Sequence, residues 1–106
     1  IWRAWLQDGF GRVHVNVFES AVAQCLGLPA QMCTSAPICG KAMALEHDGS
    51  LYSCDHFVYP EYRLGNIRDT HEGDLAFSKA QIAFGLAKRD TLPAHCRACA
   101  QLPLCW

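Results

Sequence analysis

A chain of 106 residues and 11.7 kDa holds one small domain, or part of a larger one, and is too short for two independent cores. Hydrophobic residues at 51%, charged ones at 18% and a formal net charge of -1 describe a folding chain, without the bulk positive charge of a nucleic-acid binder. Seven Cys bring it close to the density of a disulfide or metal scaffold, so their spacing decides between the two.

In chain order, Trp2, Trp5 and Leu6 fall at helical spacing and Asp8-Gly9 reads as a stop, which predicts the tail of a helix over residues 1–7. Val13, Val15 and Val17 alternate with His14, Asn16 and Phe18, the period of a half-buried strand over 12–18. Ser20 is placed to cap a short helix through Leu26, closed by Gly27 and Pro29, with Cys25 packed inside it as an apolar residue. A hairpin follows, with strands over 43–46 and 51–54 around His47-Asp48-Gly49-Ser50. Asp-Gly between such runs predicts a type I′ turn with positive φ at both central residues. Pro60 and Gly65-Asn66 then predict a long aromatic-containing loop. Phe77, Ala80, Phe84 and Ala87 mark the buried face of one main helix over about 74–89, which Gly85 weakens. Residues 91–106, with two Pro and three Cys, admit no long regular element. Together these elements predict an α+β fold.

Neither end carries a signal peptide, and no run of about 18 apolar residues occurs, so a cytoplasmic protein without membrane contact is expected. The missing initiator Met, and an end at Cys105-Trp106 inside a cysteine cluster, suggest a fragment of a longer chain.

Six of the cysteines form two groups. Cys33, Cys39 and Cys54 flank the predicted hairpin, whose tight turn returns Cys54 towards Cys39. Cys96, Cys99 and Cys105 crowd a Pro-punctuated segment in which the C-x2-C pair can approach one metal from a single turn. An odd count without a secretion signal disfavours disulfides. Zinc and iron–sulfur clusters remain competing occupants, because thiolates accept both. With three cysteines per group, each site needs a further ligand: a water, a His such as His47, His56 or His95, or another molecule. His14 and His71 read as ordinary surface or core residues, and Arg63 and Arg97 as solvated cations.

Three stretches now become specific. They are Cys33-Thr-Ser-Ala-Pro-Ile-Cys39-Gly, then Ala44 through Tyr-Ser-Cys54-Asp-His-Phe-Val-Tyr-Pro-Glu-Tyr-Arg to Ile67, and Leu92-Pro-Ala-His-Cys96-Arg-Ala-Cys99. This arrangement resembles the C-terminal SPASM domain of anaerobic sulfatase-maturating enzymes, a radical S-adenosylmethionine family. The family's Cys, gap, Gly, four residues, Cys is matched by Cys33, Gly49 and Cys54, and its C-x2-C-x5-C by Cys96, Cys99 and Cys105. The resemblance covers about 32–105. It implies a small SPASM-type domain over 31–106, with residues 1–30 as the end of, or connection to, a partial α/β barrel.

The resemblance further implies two auxiliary [4Fe–4S] clusters, one on Cys33, Cys39 and Cys54 and one on Cys96, Cys99 and Cys105. Each lacks here one ligand of the family pattern, which has further Cys beyond the position of Cys105. It implies an unfolded sulfatase polypeptide as substrate, whose Cys or Ser becomes formylglycine, with Asp55 as the acid/base residue. His56, Tyr59 and Tyr62 would line the peptide groove. The family's C-x3-C-x2-C motif is absent from these residues, so S-adenosylmethionine and the third cluster belong to a part outside them, and this chain alone should be inert. Two alternatives stand beside this reading: a zinc-binding interaction module, and the SPASM module of a different peptide-modifying radical enzyme.

Overall fold

Aromatic side chains and backbone hydrogen bonds decide which of these elements form. A computed structural model describes residues 1–106 as two compact units, one of residues 1–36 with 94–106 and one of residues 37–93.

In the first unit, α1 (Trp2–Ala4) continues as a π-helical turn over Trp5–Gly9, close to the expected helix tail. Trp5, only 5% exposed, stacks on Trp2 and meets Phe10 and Phe18 edge-on or tilted at 5.3 and 5.4 Å. The strand expected over 12–18 does not form. Val15 is extended, and α2 (Asn16–Cys25) starts immediately after it. A strand there has no neighbour for its N–H and C=O groups, whereas the helix satisfies them internally. The Trp5 indole takes the carbonyl of Val13 at 2.7 Å, and the helix turns Phe18 towards the tryptophans while Val13 and Val17 stay exposed. Ser20 is therefore not a cap: it is buried in mid-helix, donating to Oε1 of Gln24 at 3.3 Å. The stop at Gly27 holds, with Leu28 N–H bonded to Ala23 O and Gly27 N–H to Gln24 O in the Schellman pattern. Cys25, the last residue of α2, is exposed rather than packed. Beyond residue 93 only α5 (Ala94–Arg97) and a 3-10 turn over Leu102–Leu104 are regular, as the two Pro required.

The second unit is built on a three-stranded antiparallel sheet in the order β1 (Ala44–Leu45), β2 (Ser50–Tyr52), β3 (Arg63–Asn66). The expected hairpin is present with shorter strands, pairing Ala44 with Tyr52 and Leu45 with Leu51. Its turn is a three-residue loop rather than type I′. Gly49 alone has positive φ, at 87°, and Asp48 instead accepts the N–H and O–H of Ser50 at 2.8 and 3.0 Å. Strand β3 occupies part of the expected long loop. Pro60 starts a 3-10 turn and then releases the chain to pair Leu51 with Gly65 and Ser50 with Asn66. Arg63 is tied rather than solvated alone, since its Nε donates to Ser50 Oγ at 3.1 Å.

The expected single main helix is two. His71 Nδ1 caps α3 (Glu72–Ala76), and the Ser78 hydroxyl caps α4 (Lys79–Asp90) by accepting the N–H of Gln81. Breaking the helix rotates its faces. Phe77 ends 81% exposed and Ala80 and Ala87 are also exposed, while Leu75, Gln81 and Gly85 turn inwards and Phe84 packs with Phe57 and Tyr62. No helix is long and apolar enough to cross a membrane.

Candidate metal and proton-transfer site

The end of β2 leads into two of the predicted site residues, Cys54 and Asp55. Ser53 donates its N–H and O–H to the carbonyl of Tyr62 at 3.0 and 3.2 Å, which fixes the chain at the point where it leaves the sheet. Cys54 follows, 8% exposed. Asp55 N–H then reaches Ala42 O at 3.2 Å, and Phe57 N–H returns to Cys54 O at 3.0 Å. That turn directs the side chains of Asp55 and His56 to the surface, where His56 Nε2 stands 3.9 Å from Asp55 Oδ1. Cys39, half-buried, is fixed from another direction by its N–H bond to Gly85 O at 3.0 Å.

The Cys54 thiol donates to Asp55 Oδ1 at 3.3 Å. Burial pushes its pKa up, and the Asp55 carboxylate and the Cys39 thiol push the same way, against one backbone N–H bond from His56. Cys54 by itself therefore keeps its proton, and a coordinating cation is what would remove it. Cys39 thus stands near enough to disfavour the Cys54 thiolate, and a carboxylate touches Cys54 directly.

The other cysteines lie in the first unit. Cys33, exposed, opens a 3-10 turn over Cys33–Ser35. Cys96 is half-buried in α5, and Cys99 and Cys105 are exposed. Cys99 Sγ accepts the N–H of Gln101 at 3.4 Å, and single-turn bonds such as Cys105 N–H to Leu102 O hold the rest. No three His, Cys, Asp or Glu side chains stand close enough together to form a ready-made metal cage. In donor chemistry the set suits an iron–sulfur cluster: the candidate ligands are thiols, and two of them, Cys54 and Cys99, accept backbone N–H bonds of the kind that tune such clusters.

Among the residues expected to line a peptide groove, His56 and Tyr59 are exposed after Cys54. Tyr62 is half-buried, its ring 5.0 Å from Phe57 and 5.7 Å from Phe84. The open groove lined by Lys41, Met43, Leu51 and Glu72 includes none of them. Sequence reasoning missed Gln81, whose amide lies behind both Cys39 and Cys54. Its signal was the pair Ser78-x-x-Gln81, a capping-box spacing that starts a new helix and turns Gln81 and Gly85 to its inner face.

Residues 33–100 match the family model of SPASM, described as an iron-sulfur cluster-binding domain. Over 105 residues the chain is 38% identical to a serine-type anaerobic sulfatase-maturating enzyme of Bacteroides thetaiotaomicron, covering 99% of this chain and 25% of that protein. A serine-type enzyme of Klebsiella pneumoniae is 33% identical, with 99% and 26% covered. A solved structure described as native anSMEcpe with bound AdoMet and Cp18Cys peptide superposes with a TM-score of 0.79 at 27% identity, covering 98% of this chain and 28% of that one. The chain thus spans about a quarter of the length of the curated relatives it matches.

Proposed function

The chain belongs to the SPASM family of iron–sulfur cluster-binding domains, and from that premise we propose that it is the auxiliary-cluster and substrate-binding module of a radical S-adenosylmethionine enzyme that oxidises a Cys or Ser of a sulfatase to formylglycine. Cys33, Cys39 and Cys54 would hold one [4Fe–4S] cluster and Cys96, Cys99 and Cys105 a second, each completed by a ligand outside these residues. Residues 1–30 would belong to the end of the catalytic barrel or its connection. A bound auxiliary cluster supplies a one-electron acceptor beside the substrate.

The protein's own part is the proton. Once a hydrogen atom has left the side-chain carbon of the substrate residue, loss of one electron and of the hydroxyl proton gives the aldehyde from Ser, while loss of one electron and of the thiol proton gives a thioaldehyde from Cys, which water hydrolyses to the aldehyde with release of hydrogen sulfide. Asp55 takes that proton as general base. The 3.3 Å contact between Asp55 Oδ1 and Cys54 Sγ carries this reading, because it sets a proton acceptor next to a cluster ligand. His56 and Tyr59 on the same exposed turn, with Tyr62 behind them, would orient the peptide.

Asp55→Asn keeps the size and removes the base. In the reconstituted holoenzyme it should lower formylglycine formation about 10²–10⁴-fold, while S-adenosylmethionine cleavage and iron content hold. Formylglycine formation at the wild-type rate would exclude Asp55 as the base.

A further inference from the structure

We propose that Gln81 is a positioning residue that sets the cluster-binding thiols of Cys39 and Cys54, and that Gln24 does the same for Cys33 and Cys105. Both assignments rest on the reading that these cysteines hold iron–sulfur clusters.

Gln81 lies on the inner face of α4, 3% exposed. Its single amide nitrogen donates to Gly40 O at 2.9 Å and to Ser53 O at 3.0 Å, and those two residues directly adjoin Cys39 and Cys54. Two carbonyls facing one nitrogen fix the amide orientation, since the oxygen could donate to neither. That orientation leaves Oε1 buried without a partner. An unmatched buried acceptor is destabilising, so fold stability is poorly served by an amide here. What the amide does supply is a fixed spacing at the two thiol-bearing positions, beside the Asp55 N–H bond to Ala42 O that joins the same two backbone segments.

The neighbouring turn of α4 supports this. Gly85 O accepts the N–H of Cys39, and a Cβ at Gly85 would stand 2.6 Å from the Cys39 carbonyl oxygen. The helix thus holds Cys39 by its N–H and Gly40 by its carbonyl.

A separate observation in the first unit carries the second assignment. Gln24 Nε2 donates to Ser35 O at 3.0 Å and to Pro103 O, and its Oε1 accepts the Ser20 hydroxyl. The bridged carbonyls lie two residues from Cys33 and two from Cys105. In each unit, then, one glutamine amide joins two separate cysteine-bearing segments.

The test compares four variants of the holoprotein, produced from its full reading frame and reconstituted without oxygen, by iron content and by the EPR spectrum of the reduced clusters. Cys54→Ala is the benchmark for losing one cluster. Gln81→Met keeps the volume and removes both donors. Leu75→Ala opens a buried apolar site with no bond to either thiol segment, and Gln24→Met repeats the design in the first unit. Gln81→Met should lose the same EPR component as Cys54→Ala, about a third of the iron of a three-cluster holoprotein, and keep the other components, whereas Leu75→Ala should keep all of them. Wild-type iron in Cys54→Ala would overturn the cluster reading itself. Loss in Cys54→Ala but wild-type iron and spectrum in Gln81→Met would overturn the inference alone, as would equal loss in Leu75→Ala. Should Gln81→Met fail to fold, Gln81→Asn, which keeps the amide but shortens its reach to Gly40 O and Ser53 O, decides that assignment by the same measurements, and Gln24→Met decides the second one: in each, reduced iron supports positioning, and unchanged iron contradicts it.

Discussion

The thiols of the two units are held in different ways. Cys39 and Cys54 sit on segments fixed by a sheet, a helix carbonyl and a buried amide, all of them bonds within the protein. Cys96, Cys99 and Cys105 sit on single helical turns closed by bonds between residues three or four apart, with the half-buried Gln24 amide on Pro103 O as a tie to α2. Local turns of that length are marginal alone, so order in residues 94–106 depends far more on what the thiols bind. On the proposed cluster reading, the first arrangement would be a preformed half-site and the second would form with its metal.

The largest expected effect follows from that contrast. Stripping the clusters from the holoprotein should raise amide hydrogen exchange across residues 94–106 about tenfold or more, while residues 44–66 keep their protection. Equal deprotection of both segments would erase the distinction. Next is Gly85→Ala. Helix propensity alone favours Ala by up to about 1 kcal/mol, but contact with the Cys39 carbonyl should reverse the sign and destabilise by about 1–3 kcal/mol in urea unfolding. A stabilised variant would mean that the helix does not press on the Cys39 segment.

Smaller again is the hairpin turn. The N–H and O–H of Ser50 hold the Asp48 carboxyl below its ordinary value of 3.8. A depressed carboxyl adds stability above the unfolded value and loses it as pH falls through the folded one. Asp48→Ala should therefore lower the urea midpoint at pH 7 and match the wild type at pH 2. The smallest effect is expected for Cys25→Ala. This thiol is exposed and outside both groups, so stability should stay within about 0.5 kcal/mol and iron content should not change.

What was legible in the sequence divides along the same physical line. Local signals were readable: the Asp-Gly hairpin, the Gly27 helix stop, and the cysteine spacing with Asp55 behind Cys54. Features that depend on partners distant in sequence were not. Val13, Val15 and Val17 alternate like a strand, but a strand needs a neighbour, and Trp5 offers its indole instead. Strand β3 was hidden because Arg63–Asn66 contains a Gly and lies behind a Pro; only the bulged register with β2 gives it hydrogen bonds. Gln81 could be read as a helix residue, but its two carbonyl partners lie 41 and 28 positions away.

The central claim, that these cysteines hold iron–sulfur clusters, is tested most directly by iron, sulfide and zinc content of the holoprotein reconstituted without oxygen, with every cysteine of the 33–54 and 96–105 groups changed to Ala in a parallel sample. The account predicts that the substituted protein loses about eight iron and eight sulfide per chain relative to the wild type. An unchanged iron content, with about one zinc lost instead, would contradict it.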